Sequence, residues 1–100
     1  MKIKELKPGM EKVEIIVKIV DIKKPRKVTA YNKFEYVIVE GTVEDETGMV
    51  SITVWDDTIK QLNGLRKGDS IKLSNCFITS FKGVLHINVG RDSKILRFIM

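Results

Sequence analysis

Hydrophobic positions along the chain recur mostly every second residue, the period of a strand that buries one face. Val13, Ile15, Val17 and Ile19 alternate with Glu14, Ile16, Lys18 and Val20, which predicts a long first strand over residues 12–22. Its second face is itself half apolar, as suits a strand buried on parts of both sides inside a barrel. Residues 36–44 alternate again, with Val37, Val39, Gly41 and Val43 on one side and Tyr36, Ile38, Glu40 and Thr42 on the other. Asp45-Glu46-Thr47-Gly48 reads as a turn, so Met49 to Trp55 returns antiparallel as a hairpin partner. Asp56 or Asp57 is placed to cap a short helix whose apolar stripe is Ile59 and Leu62 and whose end is Asn63-Gly64. Ile71 and Leu73 open a fourth strand running to about Thr79, Ser80-Phe81-Lys82-Gly83 is a hairpin loop, and Val84 to Val89 is the fifth strand.

Five short strands with one helix between the third and fourth, and long loops besides, match an all-β, five-stranded Greek-key barrel of the OB-fold type. An SH3-like barrel is the main competitor, and the helix between strands three and four favours the OB-fold. Residues 1–100 form one domain, standing alone or as one OB domain of a longer chain.

Alternation also sorts side chains that face away from the core. In the third strand Val50, Ile52 and Val54 are apolar, which turns Ser51, Thr53 and Trp55 together onto the wetter face. In the fifth, Leu85, Ile87 and Val89 go inward and leave Val84, His86 and Asn88 outward. In the fourth, Ile71 and Leu73 are odd-numbered while Cys76 and Ile78 are even, so a bulge near Asn75 is needed for both pairs to be core, and Phe77 and Thr79 then point out. Phe81 falls at the loop tip beside Lys82. Tyr31 and Phe34 are expected to staple the long first loop against the barrel. Three aromatics, Trp55, Phe77 and Phe81, become candidates for one exposed surface flanked by Arg26, Lys33, Lys82 and Arg91. Thr53, beside Trp55, and Asn88 complete the candidate set. Exposed rings among cations suit a nucleic-acid single strand, whose bases stack on rings while cations follow its backbone.

Charge sharpens this reading. The chain has 18 Lys+Arg and 13 Asp+Glu, a formal +5, spread unevenly: residues 1–35 carry +5, residues 36–69 carry −4 and residues 70–100 carry +4. A surface with one basic and one acidic side orients on a phosphate backbone. One cysteine, Cys76, permits no internal disulfide, and with one histidine, His86, leaves too few ligands for a Cys/His zinc site. No metal and no cofactor is expected. Asp56-Asp57 are adjacent and project differently, and there is no Ser/His/Asp set, phosphate-cradling Gly loop or activated thiol, so the chain does not read as an enzyme. No apolar run approaches the roughly 20 residues of a membrane span, and the acid-containing Met-Lys-Ile-Lys-Glu-Leu start does not read as a signal peptide. An intracellular, cytoplasmic location without membrane association is expected.

Leu6-Lys7-Pro8-Gly9-Met10, Asp45-Glu46-Thr47-Gly48, Val54-Trp55-Asp56-Asp57, Lys67-Gly68-Asp69 and Phe81-Lys82-Gly83, followed by Leu85, Asn88 and Gly90-Arg91, stand in this order along the chain. In these motifs the chain resembles the archaeal single-stranded DNA-binding proteins, a pattern shared by single-OB-fold binders of eukaryotes and by OB domains of replication protein A. The resemblance implies that Trp55, Phe77 and Phe81 stack on bases, that Arg26, Lys82 and Arg91 contact the backbone, and that the protein is nucleoid-associated. The implied activity is sequence-tolerant binding of single-stranded DNA in replication, recombination or repair, with other replication or repair proteins or further OB domains as partners. RNA, or a protein ligand with no nucleic acid, are the alternatives. The segment Ala30 to Glu35 departs from relatives, which often have a short Gly-containing turn there. The apolar end, Ile95-Leu96-Arg97-Phe98-Ile99-Met100, is expected either to mark a domain cut from a longer chain or to pack on the barrel or another subunit.

Overall fold

The computed structural model describes residues 1–29 and 31–98. The alternation of the first strand is realised in β1 (Val13–Ile22), where Val13, Ile15, Val17 and Ile19 are buried. A register shift between Ile19 and Asp21 bends this strand, so that its first half pairs with β5 (Ser70–Phe81) and its second half with β3 (Glu35–Asp45). Such a bulge is how one strand belongs to both sides of a barrel. Gly41 makes the crossing possible, because a Cβ there would stand 2.4 Å from the Asp21 carbonyl oxygen.

The turn Glu46-Thr47 joins β3 to β4 (Gly48–Trp55), and β4 lies parallel to β6 (Val84–Val89). β6 pairs antiparallel with β5, and β5 returns to β1, closing the ring β1-β3-β4-β6-β5. This is the five-stranded OB-type barrel that the alternation predicted. Its core is Val, Ile and Leu from the inward faces, with Cys76 among them. The bulge inferred near Asn75 is present: Val13 and Ile15 oppose Cys76 and Leu73, one residue more on β5, and Asn75 takes the left-handed φ of 55°. Leu73 and Cys76 therefore both point inward and are fully buried.

Three elements differ from expectation. The long first loop contains a strand, β2 (Arg26–Thr29), which among the described residues pairs with β3 alone, as a hairpin. Its sequence has no apolar alternation to announce it, and its pairing with β3 holds it. Tyr31 and Phe34 do not staple this hairpin to the barrel, for both are exposed at its tip. The segment between β4 and β5 is a 3-10 helix, Asp56–Leu62, whose cap position is Trp55, and neither aspartate caps it. Asp56 instead takes a left-handed φ of 46° and accepts a hydrogen bond from the Val37 N–H at 2.9 Å, tying the helix start to β3. Ile59 and Leu62 pack against the core as predicted. Finally, Phe81 is the last residue of β5, paired with Val84, and the turn is only Lys82-Gly83, both at positive φ (51° and 80°). Two successive left-handed residues make the tight turn whose twist matches its strands.

The apolar end packs on the barrel. β7 (Lys94–Arg97) adds to β5, Ile95 is buried, and Arg97 pairs with Asp69 at 3.0 Å. Ile99 and Met100 lie outside the described residues.

Candidate nucleic-acid interface

The register of β3, β4, β6 and β5 lays the outward side chains in rows across one curved face. One row is Glu40, Thr53, Asn88 and Phe77; beside it run Thr42, Ser51, His86 and Thr79; and beyond these Glu44, Met49, Val84 and Phe81. Trp55 stands at the other end of β4, opposite Ile38. Trp55 and Phe77, which alternation turned outward, thus share a face with Phe81, expected at a loop tip.

Trp55 is half-buried and held by its edges. Its Nε1–H donates to Asn88 Oδ1 at 3.2 Å, and the Tyr36 ring meets it edge-to-face, centroids 5.8 Å apart at 87°. Asn88 is 4% exposed, and its amide nitrogen donates to Thr79 Oγ1 at 2.9 Å and to the carbonyls of Phe77 and His86. It is a cross-piece joining three strands beneath the face. Thr53 is likewise buried, its Oγ1 3.4 Å from His86 Nδ1. Both residues are on the predicted face but form its floor rather than its surface. Phe77 is 40% and Phe81 66% exposed, large values for rings of this size. The ammonium of Lys82 lies 5.4 Å from the Phe81 centroid, a cation–π contact.

Two of the predicted cations, Lys82 and Arg91, stand beside these rings. Arg91 lines two hollows: one of about 330 Å³ with Trp55, Thr58, Gln61 and the acids Asp56 and Asp57, the other of about 280 Å³ with Phe77, Asn75, Lys12 and the acids Glu11 and Asp92. It lies between two of the rings. Arg91, Lys82 and Lys33 are in no ion pair among the described residues, which leaves their charge free for a polyanion. Lys33 sits in the β2–β3 turn at φ 68°, beside exposed Phe34. Arg26 is already engaged: Nε and Nη2 both donate to Glu40 Oε1, at 2.9 and 2.7 Å. Sequence reading missed Tyr36 and Glu40 as members of this face. The available signal was parity, since both share the outward side of β3 with Ile38, the partner of Trp55.

The groups with displaced pKa values lie off this face. Asp45, in the β3–β4 corner, is pushed up by partial burial. The combined hydrogen bonds from the Thr47 hydroxyl, the Ile3 N–H and the Thr47 N–H outweigh this and hold it below the ordinary carboxylate range. Asp69 is lowered by the Arg66 N–H and the Arg97 guanidinium. Burial in the core pushes the Cys76 thiol up to about 11.

A family model described as single-stranded DNA binding protein Ssb-like, OB fold, matches residues 6–96. The chain belongs to the Ssb-like OB-fold family. It is 34% identical over 94 residues to the single-stranded DNA binding protein Ssb of Saccharolobus solfataricus, and the match spans 94% of this chain and 61% of that protein. The replication factor A related protein of Methanobacterium thermoautotrophicum superposes with a TM-score of 0.82 at 24% identity, covering 98% of this chain and 89% of that one. The second OB-fold domain of replication protein A from Methanococcus maripaludis gives 0.77 at 20% identity, covering 100% and 97%. These two solved structures confirm the fold. No helix among the described residues is long and apolar enough to cross a membrane.

Proposed function

We propose that the protein binds single-stranded DNA with little regard to sequence, in replication, recombination or repair. The observation that carries this reading is the set of three aromatics on one curved face, half-exposed to exposed, with unpaired cations beside each. Bases stack on Trp55, Phe77 and Phe81, each stack contributing about 1–3 kcal/mol. Lys82, Arg91 and Lys33 follow the phosphates, while Arg26, neutralised by Glu40, stands beside the groove. Asn88 and Thr53 serve from below, Asn88 by fixing the indole edge so that the ring is in place before a base arrives. Duplex bases are already stacked and offer no free π-face, so duplex is rejected. The groove takes about 4–5 nucleotides, within the ~4–16 range of a single OB-fold. The chemistry is equilibrium binding with no catalytic step, and the protein acts on the nucleoid beside other OB domains or repair proteins.

The single tryptophan reports the site. Titration with oligo-dT, oligo-U and an equal-length duplex is expected to quench Trp55 strongly, less and little, in that order. Unchanged fluorescence with all three at low salt overturns the proposal. Oligo-U quenching more strongly than oligo-dT transfers the function to RNA.

A further inference from the structure

A carboxylate on a face built for a polyanion is an anomaly, and Glu40 is such a group. It sits in the row that leads through Thr53 and Asn88 to Phe77, and it is the diagonal neighbour of Trp55 across the β3–β4 pairing. Diagonal neighbours lie about 7–8 Å apart, within reach of long side chains and of a base stacked on the ring. Its side chain is 30% exposed. Both Arg26 contacts go to Oε1, and Oε2 receives no donor among the described residues. Among the described residues no buried polar side-chain atom lacks a partner, so Oε2 opens to solvent. Arg26 thus holds the carboxylate still and leaves one oxygen as a fixed, charged acceptor on the binding face.

We propose that Glu40 Oε2 accepts a hydrogen bond from the exocyclic amino group of a base stacked at Trp55, so that the groove favours amino bases over keto pyrimidines. Cytosine presents the N4 amino group as a donor, while thymine and uracil present the O4 lone pairs at the same place, which the carboxylate repels. Single-stranded bases expose this Watson–Crick edge, so the reading is open to an OB-fold groove as it is not in a duplex. The preference is superimposed on sequence-tolerant stacking. It also accounts for Arg26 being neutralised, since a free guanidinium would contact phosphate but orient nothing. The inference rests on the single-strand binding reading above.

The test compares oligo-dC with oligo-dU of equal length at pH 7.5, two ligands alike except in the pairing edge of the ring, on wild type and Glu40→Gln. Wild type is expected to bind dC about fivefold more tightly than dU, the size of one modest hydrogen bond. In Glu40→Gln both affinities rise as Arg26 is released, and the dC/dU ratio falls to about one or below, because the new amide donates to O4. A ratio near one in wild type, or one unchanged by Glu40→Gln while both affinities rise, overturns the base-reading role and reduces Glu40 to a counter-charge. Failure of both oligonucleotides to bind at low salt overturns single-strand binding itself, and the base-reading role with it.

Discussion

The indole of Trp55 is placed by two contacts to its edges, Asn88 Oδ1 on the nitrogen and Tyr36 on the ring. Trp55→Ala is expected to weaken every single-stranded sequence about equally, by ~1–3 kcal/mol, read by anisotropy of a labelled strand. Asn88→Ala tests the floor. It strips the indole N–H and the Thr79 hydroxyl of a buried partner, and is expected to cost about 1–3 kcal/mol in stability. A melting curve shows that loss, and a smaller affinity loss than Trp55→Ala separates a positioning residue from a stacking one. Parity along β4 and β5 made Trp55 and Phe77 legible in the sequence, because a half-buried strand must send alternate residues outward, and the turn signal at Ser80–Gly83 exposed Phe81. The same parity sent Asn88 outward too. It could not show that Asn88 would be roofed over, since the roof comes from β4 and β5, which adjoin it only in the folded sheet.

At the scale of elements, the β5–β6 hairpin aims Phe81, and its turn needs two left-handed residues, Lys82 and Gly83. Asn tolerates that conformation, so Lys82→Asn removes the charge and keeps the turn. With about three phosphates neutralised, log K is expected to fall against log salt with a slope of roughly −2, and Lys82→Asn should flatten it by about 0.7. A flattened slope with unchanged Tm assigns Lys82 to the backbone; a lowered Tm with the same slope assigns it to the turn. The β1–β3 crossing depends on Gly41, where an added Cβ meets backbone rather than a yielding side chain. Gly41→Ala is expected to lower Tm steeply or prevent folding, as seen by circular dichroism. Gly41 lay in the predicted alternation as one more inward position. Its close approach to Asp21 arises only when β1 bends over β3.

For the whole molecule, the basic segments 1–35 and 70–100 flank the acidic middle in sequence, but the fold redistributes them. Arg26 goes to Glu40, Arg97 to Asp69, Lys72 to Glu14 and Lys2 to Glu46, while Arg91 and Lys82, beside the aromatic rings, are among the cations in no ion pair among the described residues. Acid stability follows from the two lowered carboxylates. Asp45 and Asp69 have folded-state pKa values below their unfolded ones. Their stabilisation is therefore complete above the ordinary aspartate value, about 3.9, and is lost as pH falls through the lower folded values. Thermal melts are expected to hold Tm level from neutral pH down to that range and then to decline. Asp45→Asn should make the decline shallower, and a Tm that already falls above pH 5 would contradict this assignment.

Local period determined much of this protein: which residues of β1, β3, β4 and β6 point inward, the hairpin at Glu46-Thr47, the bulge at Asn75 and the outward turn of Trp55 and Phe77. Each of these follows from burying one face of a pleated strand, which neighbouring residues alone decide. Only the tertiary structure settled the rest. Strand β2 exists because β3 offers it an edge, Phe81 belongs to a strand because β6 pairs with it, and β7 finds β5 across the barrel. The pairing of Arg26 with Glu40, the burial of Asn88 and the tie from Asp56 to Val37 join residues 14, 33 and 19 positions from their partners. A periodic pattern reports whether a residue is buried, but not which distant residue buries it. That choice is made when the ring of strands closes.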